Sequence, residues 1–139
     1  MTDARTRARR TFHVLVVDDD PAIRLMVRAM LDRDGRMHVV AEAYNGRDAV
    51  SLVERTCPDA VILGMQMPFM DGITAARLIK RVCPYTSVII FSAVTTTSLV
   101  QKALDAGADL YLSKTTRPAE LVEAINLLCV RAARLSDTA

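Results

Sequence analysis

Several short stretches of this 139-residue chain carry side chains suited to metal or phosphate chemistry. Asp18-Asp19-Asp20 is a run of carboxylates, whose oxygens suit hard, octahedral Mg²⁺, an ion that keeps several waters and often serves phosphate chemistry. Ser92 offers a hydroxyl and Lys114 an ammonium, and that pair suits the oxygens of a phosphoryl group. Taken one at a time, each has a plain explanation. Asp20-Pro21 reads as a capped helix start, and Ser92 and Lys114 read as solvated loop residues. The two histidines, His13 and His38, fall in predicted strands as packing or surface residues, so no nucleophile stands beside a catalytic base. The cysteines, Cys57, Cys83 and Cys129, are odd in number, far apart and lack a C-x-x-C pair. Free, mostly buried thiols and a reducing compartment are the expectation.

The elements that must position these groups follow from hydrophobic patterning, which alternates strand and helix five times. Predicted strands cover Phe12–Val17, Met37–Ala43, Ala60–Leu63, Ser87–Phe91 and Asp109–Leu112. Between them lies first a helix from Pro21, with Ile23, Met26, Val27, Met30 and Leu31 on one face and Gly35 as its end. Helices over Gly46–Arg55 and Gly72–Val82 follow, then one capped by Thr95-Thr96-Thr97-Ser98 and running to Ala106. The last starts near Pro118 and buries Leu121, Ala124, Ile125, Leu128 and Cys129. Strands buried on both faces and alternating with helices imply a doubly wound parallel α/β sheet with right-handed crossovers. Its functional crevice lies at the carboxyl ends of the strands. Asp18-Asp19-Asp20, Gly64-Met65-Gln66-Met67-Pro68, Ser92-Ala93 and Ser113-Lys114 all fall at such ends, which makes their convergence the stronger reading.

Composition agrees with one globular domain: 51% hydrophobic and 24% charged residues, with only five Gly and five Pro. The net charge of +2 is too small to mark a nucleic-acid binder. Four arginines (5, 7, 9 and 10) sit in the first ten residues, so the remainder is nearly neutral. Residues 1–11 are expected to be a disordered basic arm, 12–131 the domain, and 132–139 a polar tail or linker stub. No apolar run reaches the ~20 residues of a membrane helix, and a cytoplasmic protein is expected.

The chain resembles the response-regulator receiver domains of two-component signalling, a flavodoxin-like (βα)5 family. VLVVDDD at 14–20, MQMPFMDG at 65–72, FSA at 91–93, AGAD at 106–109 and YLSK at 111–114 carry the resemblance. It implies that Asp18 and Asp19 form the acid pair that holds Mg²⁺, with Asp19 the direct ligand, and that Gln66 adds a backbone carbonyl. It further implies that Ser92 is the switch hydroxyl, Tyr111 the aromatic whose rotamer reports the state, and Lys114 the phosphoryl-contacting lysine.

The sequence departs from the family at the phosphoacceptor. The aspartate that ends the third strand is replaced by Gly64, which has no side chain to form an acyl phosphate. Its loss also removes a metal ligand, so Mg²⁺ binding is expected to be weak. Asp59 would lie ~15 Å away at the other end of the strand, and Asp71 reads as a turn or N-cap residue. Gly64 marks either a naturally degenerate receiver or an altered copy of a phosphoaccepting one; the otherwise intact site favours the latter or a recent loss. A second departure is Thr115 after Lys114, where many receivers have proline, often cis. A trans bond is expected, since a non-proline cis bond costs ~2.5–4 kcal/mol.

The resemblance implies a non-enzymatic protein-interaction switch. Its partners would be a sensor histidine kinase or phosphotransfer protein, and an output protein docked on the surface of the fourth helix, fifth strand and fifth helix. A homodimer is a further option. Alternatives are a small Mg²⁺-dependent phosphohydrolase-like α/β enzyme, or the receiver half of a DNA-binding transcriptional regulator. Nucleic-acid binding by this domain alone, through the arginine arm, is not expected.

Overall fold

In a computed structural model, residues 11–138 are described; the arm at residues 1–10 lies outside them. Five strands, β1 (Phe12–Val17), β2 (Met37–Ala43), β3 (Ala60–Leu63), β4 (Ser87–Ser92) and β5 (Leu110–Ser113), alternate with five helices. These are α1 (Pro21–Asp34), α2 (Gly46–Thr56), α3 (Gly72–Val82), α4 (Thr97–Asp105) and α5 (Pro118–Thr138). The strands form one parallel sheet in the order β2-β1-β3-β4-β5. The order reverses between β1 and β3, so their carboxyl ends flank the crevice of a doubly wound sheet.

Each face of the sheet has its own core. Leu15, Val17, Leu63 and Ile90 pack with Ala49, Val53, Ala76, Ile79 and Ala103 of α2, α3 and α4. Val14, Val16, Ile62 and Phe91 pack with Val27 and Leu31 of α1 and Leu121, Ile125 and Cys129 of α5. The central strands β1, β3 and β4 are almost wholly buried, as their unbroken apolar runs require. The expectation of two-face burial fails at the edges, where β2 alternates buried and exposed residues and β5 is half-buried throughout.

Helix ends follow local chemistry. Asp20 caps α1 by accepting the Ala22 N–H at 2.9 Å, and Gly35 closes it in the left-handed conformation at φ 83°. Asn45 and Asp71 cap α2 and α3 through the N–H groups of Asp48 and Thr74. The threonine cap expected for α4 does not form: Thr96 occupies the N-cap position without a side-chain hydrogen bond. Met26, expected on the inner face of α1, is exposed, because that helix buries a narrower stripe centred on Val27 and Leu31.

Two further expectations are corrected. The polar tail is helical, since α5 continues through Thr138. Residues 131–138 contain strong helix formers and neither Gly nor Pro, so nothing in RAARLSDT stops propagation. The cysteines are not all free: Cys57 and Cys83 form a disulfide, with their Cα atoms 5.9 Å apart, while Cys129 is a buried thiol. Sequence separation concealed the pair, which the parallel packing of α2 and α3 brings together at the two helix C-termini.

Candidate functional site

Sheet register determines what meets at the carboxyl edge. Val17 pairs with Leu63, so Asp18 and Gly64 leave neighbouring strands at the same level. Ser92 pairs with Ser113 across β4 and β5, and the Lys114 N–H continues that pairing to the Ser92 carbonyl at 2.9 Å. The resulting cleft, of about 190 Å³, is lined by Asp18, Asp19, Gly64, Gln66, Ser92 and Lys114, with Met65, Ala93 and Val94 completing its wall. Tyr111 is the one sequence-predicted residue outside this lining. It is half-buried against the α2–α4 core, and its hydroxyl donates to the carbonyl of Val94 on the cleft wall.

Asp18 is the electrostatic centre of the cleft. It is only 2% exposed, and a carboxylate buried that deeply needs partners. Lys114 Nζ stands 2.9 Å from its Oδ2, and the Asp20 N–H donates to its Oδ1 at 2.9 Å. Arg24, one turn into α1, donates to the Asp18 carbonyl at 2.6 Å and so ties the β1–α1 turn to the helix. Asp19 and Gln66 are exposed at the lip. Asp20 is absorbed by its capping role, which leaves Asp18 and Asp19 as the acids facing the cleft.

Gly64 faces Asp18. A Cβ built there would lie 3.1 Å from Asp18 Oδ2, so any side chain at this position points into the cleft against that carboxylate. The following loop folds back tightly. The Gly72 N–H donates to the Met65 carbonyl at 2.8 Å, and a Cβ on Gly72 would come within 2.1 Å of the Gly64 carbonyl. Only glycine permits that approach. Asp71, in its capping role, and Asp59, whose carboxylate accepts the His13 N–H at the far edge of the sheet, stay out of the cleft.

The oxygens present are chemically suited to Mg²⁺, but few of them are unengaged. Among the described residues no group of three His, Cys, Asp or Glu side chains is placed to hold an ion. Both Asp18 oxygens are engaged, one by an ammonium, and Gly64 offers only main chain. The Lys114–Thr115 bond is trans, as expected, and Ser113 Oγ accepts the Thr115 N–H at 3.1 Å to hold the turn. Sequence reasoning missed the Arg24 anchor, whose signal was its position four residues after the cap, and the wall residue Val94, which contributes to the cleft irrespective of side-chain chemistry.

A doubly wound α/β domain with an acid pair, a hydroxyl and a lysine at its carboxyl edge defines a class, and comparison with known proteins identifies it. Residues 14–126 match the family described as response regulator receiver domain, and the chain belongs to that family. Chemotaxis protein CheY of Bacillus subtilis is 39% identical over 113 residues, covering 81% of this chain and 93% of CheY. A protein-glutamate methylesterase/protein-glutamine glutaminase of Photobacterium profundum is 42% identical over 106 residues, 75% of this chain; the match spans only 27% of that relative's length. The receiver domain of the response regulator NarL from Mycobacterium tuberculosis superimposes with a TM-score of 0.83 at 32% identity, covering 86% of this chain and 97% of that domain.

Proposed function

We propose that this receiver works as a protein-interaction switch that does not take a phosphoryl group at the usual site, because Gly64 stands at the acceptor position. The observation that carries this reading is the pairing of Lys114 with Asp18, whose Oδ2 also faces the place where a side chain at Gly64 would begin. An acyl phosphate requires a carboxylate nucleophile, and the cleft offers none at the end of β3. Lys114 neutralises Asp18 instead. Asp18, Asp19 and the Gln66 carbonyl bind Mg²⁺ weakly in this reading, since one ligand is missing and another is ion-paired.

Ser92, Tyr111 and Lys114 retain the switch roles, and the tie from Tyr111 to Val94 supports a link between cleft and partner surface. That surface comprises α4, β5 and α5, and the partners are a sensor kinase or phosphotransfer protein and an output protein, in the cytoplasm, with a homodimer as one arrangement. No helix among the described residues is long and apolar enough to cross a membrane. A two-state domain moves only as far as differential stabilisation of its states allows, so loss of the covalent input leaves it near one conformation. The hydrolase alternative is not favoured: Lys114 in the cleft is ion-paired to Asp18, and no histidine lines the cleft.

The test is incubation with a small-molecule phosphodonor and Mg²⁺, followed by intact-mass analysis. The protein is expected to keep its mass, whereas Gly64→Asp gains one phosphoryl group. A stoichiometric adduct on the unaltered protein overturns the proposal.

A further inference from the structure

The Cys57–Cys83 bond lies at the end of the molecule opposite the carboxylate cleft. It joins the C-cap residues of α2 and α3 and encloses the whole β3–α3 unit within its loop. Its two ends are unlike. Cys57 is exposed and held in the left-handed region at φ 41°, a conformation that a non-glycine residue keeps only where its surroundings impose it. Cys83 is 4% exposed, with its sulfur 3.6 Å from the Val53 carbonyl. A groove of about 290 Å³ opens beside the bond, lined by both cysteines and by Val82, Tyr85, Ala132 and Ala133.

We propose that Cys57–Cys83 is a reversible thiol–disulfide site, opened and closed at the exposed Cys57 sulfur by a small thiol/disulfide couple of the glutathione type. A thiolate entering by the groove attacks the Cys57 sulfur; the inter-cysteine bond breaks, a mixed disulfide forms on Cys57, and Cys83 leaves as a thiolate. That thiolate takes a proton from solvent and faces the waiting Val53 carbonyl acceptor. A second thiolate attacks the sulfur of the bound small thiol, releasing the small disulfide and the Cys57 thiolate. Two electrons reach the protein for each small disulfide formed, and closure is the reverse.

The fold survives opening because other ties span the same turns. Thr86 Oγ1 donates to the Pro58 carbonyl at 2.6 Å, and the Ser87 N–H donates to the Asp59 carbonyl at 2.9 Å. Opening therefore removes a cross-link without removing the packing of α2 on α3. The site needs neither Gly64 nor the carboxylates, so it stands apart from the reading of the cleft.

The experiment equilibrates the folded full chain with mixtures of reduced and oxidised glutathione, quenches with acid, alkylates and reads intact mass. One transition is expected, in which two thiols appear together with unchanged far-UV dichroism, and the reduced protein melts about 5–10 °C lower. Cys83→Ser is expected to take one glutathione on Cys57, while Cys57→Ser takes none on buried Cys83. A bond that is reduced only in denaturant overturns the proposal, as do cysteines that stay reduced in oxidised glutathione. Both readings come from the unaltered protein, so poor folding of either variant leaves the decision intact.

Discussion

Asp18 and Lys114 carry the electrostatics of the cleft between them. At 2% exposure, Asp18 must be paired, and the Asp20 N–H satisfies only one of its oxygens. Lys114 supplies the other partner at 2.9 Å, on the same Oδ2 that a Cβ at position 64 would approach to 3.1 Å. Truncating one partner of a buried pair leaves an uncompensated charge, whereas neutralising both is far cheaper. Lys114→Met is therefore expected to lower unfolding free energy by about 2–4 kcal/mol, less than a fully buried pair because Lys114 keeps some solvent contact. Adding Asp18→Asn to that variant should recover most of the loss. Urea denaturation of the two single variants and the double variant measures this. A purely additive cycle would show that the two groups are not coupled.

Between elements, charge pairs do smaller work and report on pH. Arg36, just before β2, joins Asp34 of α1 at 2.8 Å to Glu123 of α5 at 3.0 Å. The hydrogen bond from Arg36 holds the Asp34 carboxyl below its ordinary value of 3.8, and the two carboxylates together raise Arg36. A lowered folded-state pKa adds stability above the unfolded value, and that stability disappears as pH falls through the folded one. Asp34→Asn is thus expected to cost under about 1 kcal/mol at neutral pH, since the pair is partly solvated. The gap to the unaltered protein should close as pH drops below 3.8, which denaturation at pH 7 and pH 3 will resolve. A gap as large at pH 3 as at pH 7 would assign the effect to packing.

What could be read from sequence at this scale depended on whether the signal was local. β1, β2, β3 and α3 have the predicted bounds, because apolar runs, Asp20-Pro21, Gly35 and Asp71-Gly72 act within a few residues. The extension of α5 was missed because polar residues do not end a helix in the absence of a breaker. The disulfide was missed because its loop spans 26 residues and is closed by helix packing alone. At the cleft, Asp18, Ser92 and Lys114 were recognisable as strand-end residues. Which acid the lysine would face was not, because that depends on how the ends of β1 and β5 are placed across the sheet.

The whole molecule couples the cleft to stability through the sheet that separates its two cores. Gly64 and Asp18 follow β3 and β1, neighbouring strands that feed both cores, so charge placed between them bears on the centre of the domain. Gly64→Asp sets a third carboxylate against Asp18, with a Cβ already 3.1 Å from its Oδ2, and gives Lys114 two acids to serve. Without a divalent ion, that variant should be less stable than the unaltered protein by about 1–2 kcal/mol from like-charge crowding. With the third carboxylate in place, the cleft becomes an oxygen-rich site of the kind Mg²⁺ prefers. An ion that binds only the folded state stabilises it by about 1.4 kcal/mol at ten times its Kd. Thermal melting in Mg²⁺ against equal ionic strength of a monovalent salt should therefore raise Gly64→Asp and leave the unaltered chain nearly unchanged. Equal Mg²⁺ shifts in both would mean that the ion-paired Asp18 and the exposed Asp19 already suffice to hold the metal, which would remove the basis for weak binding.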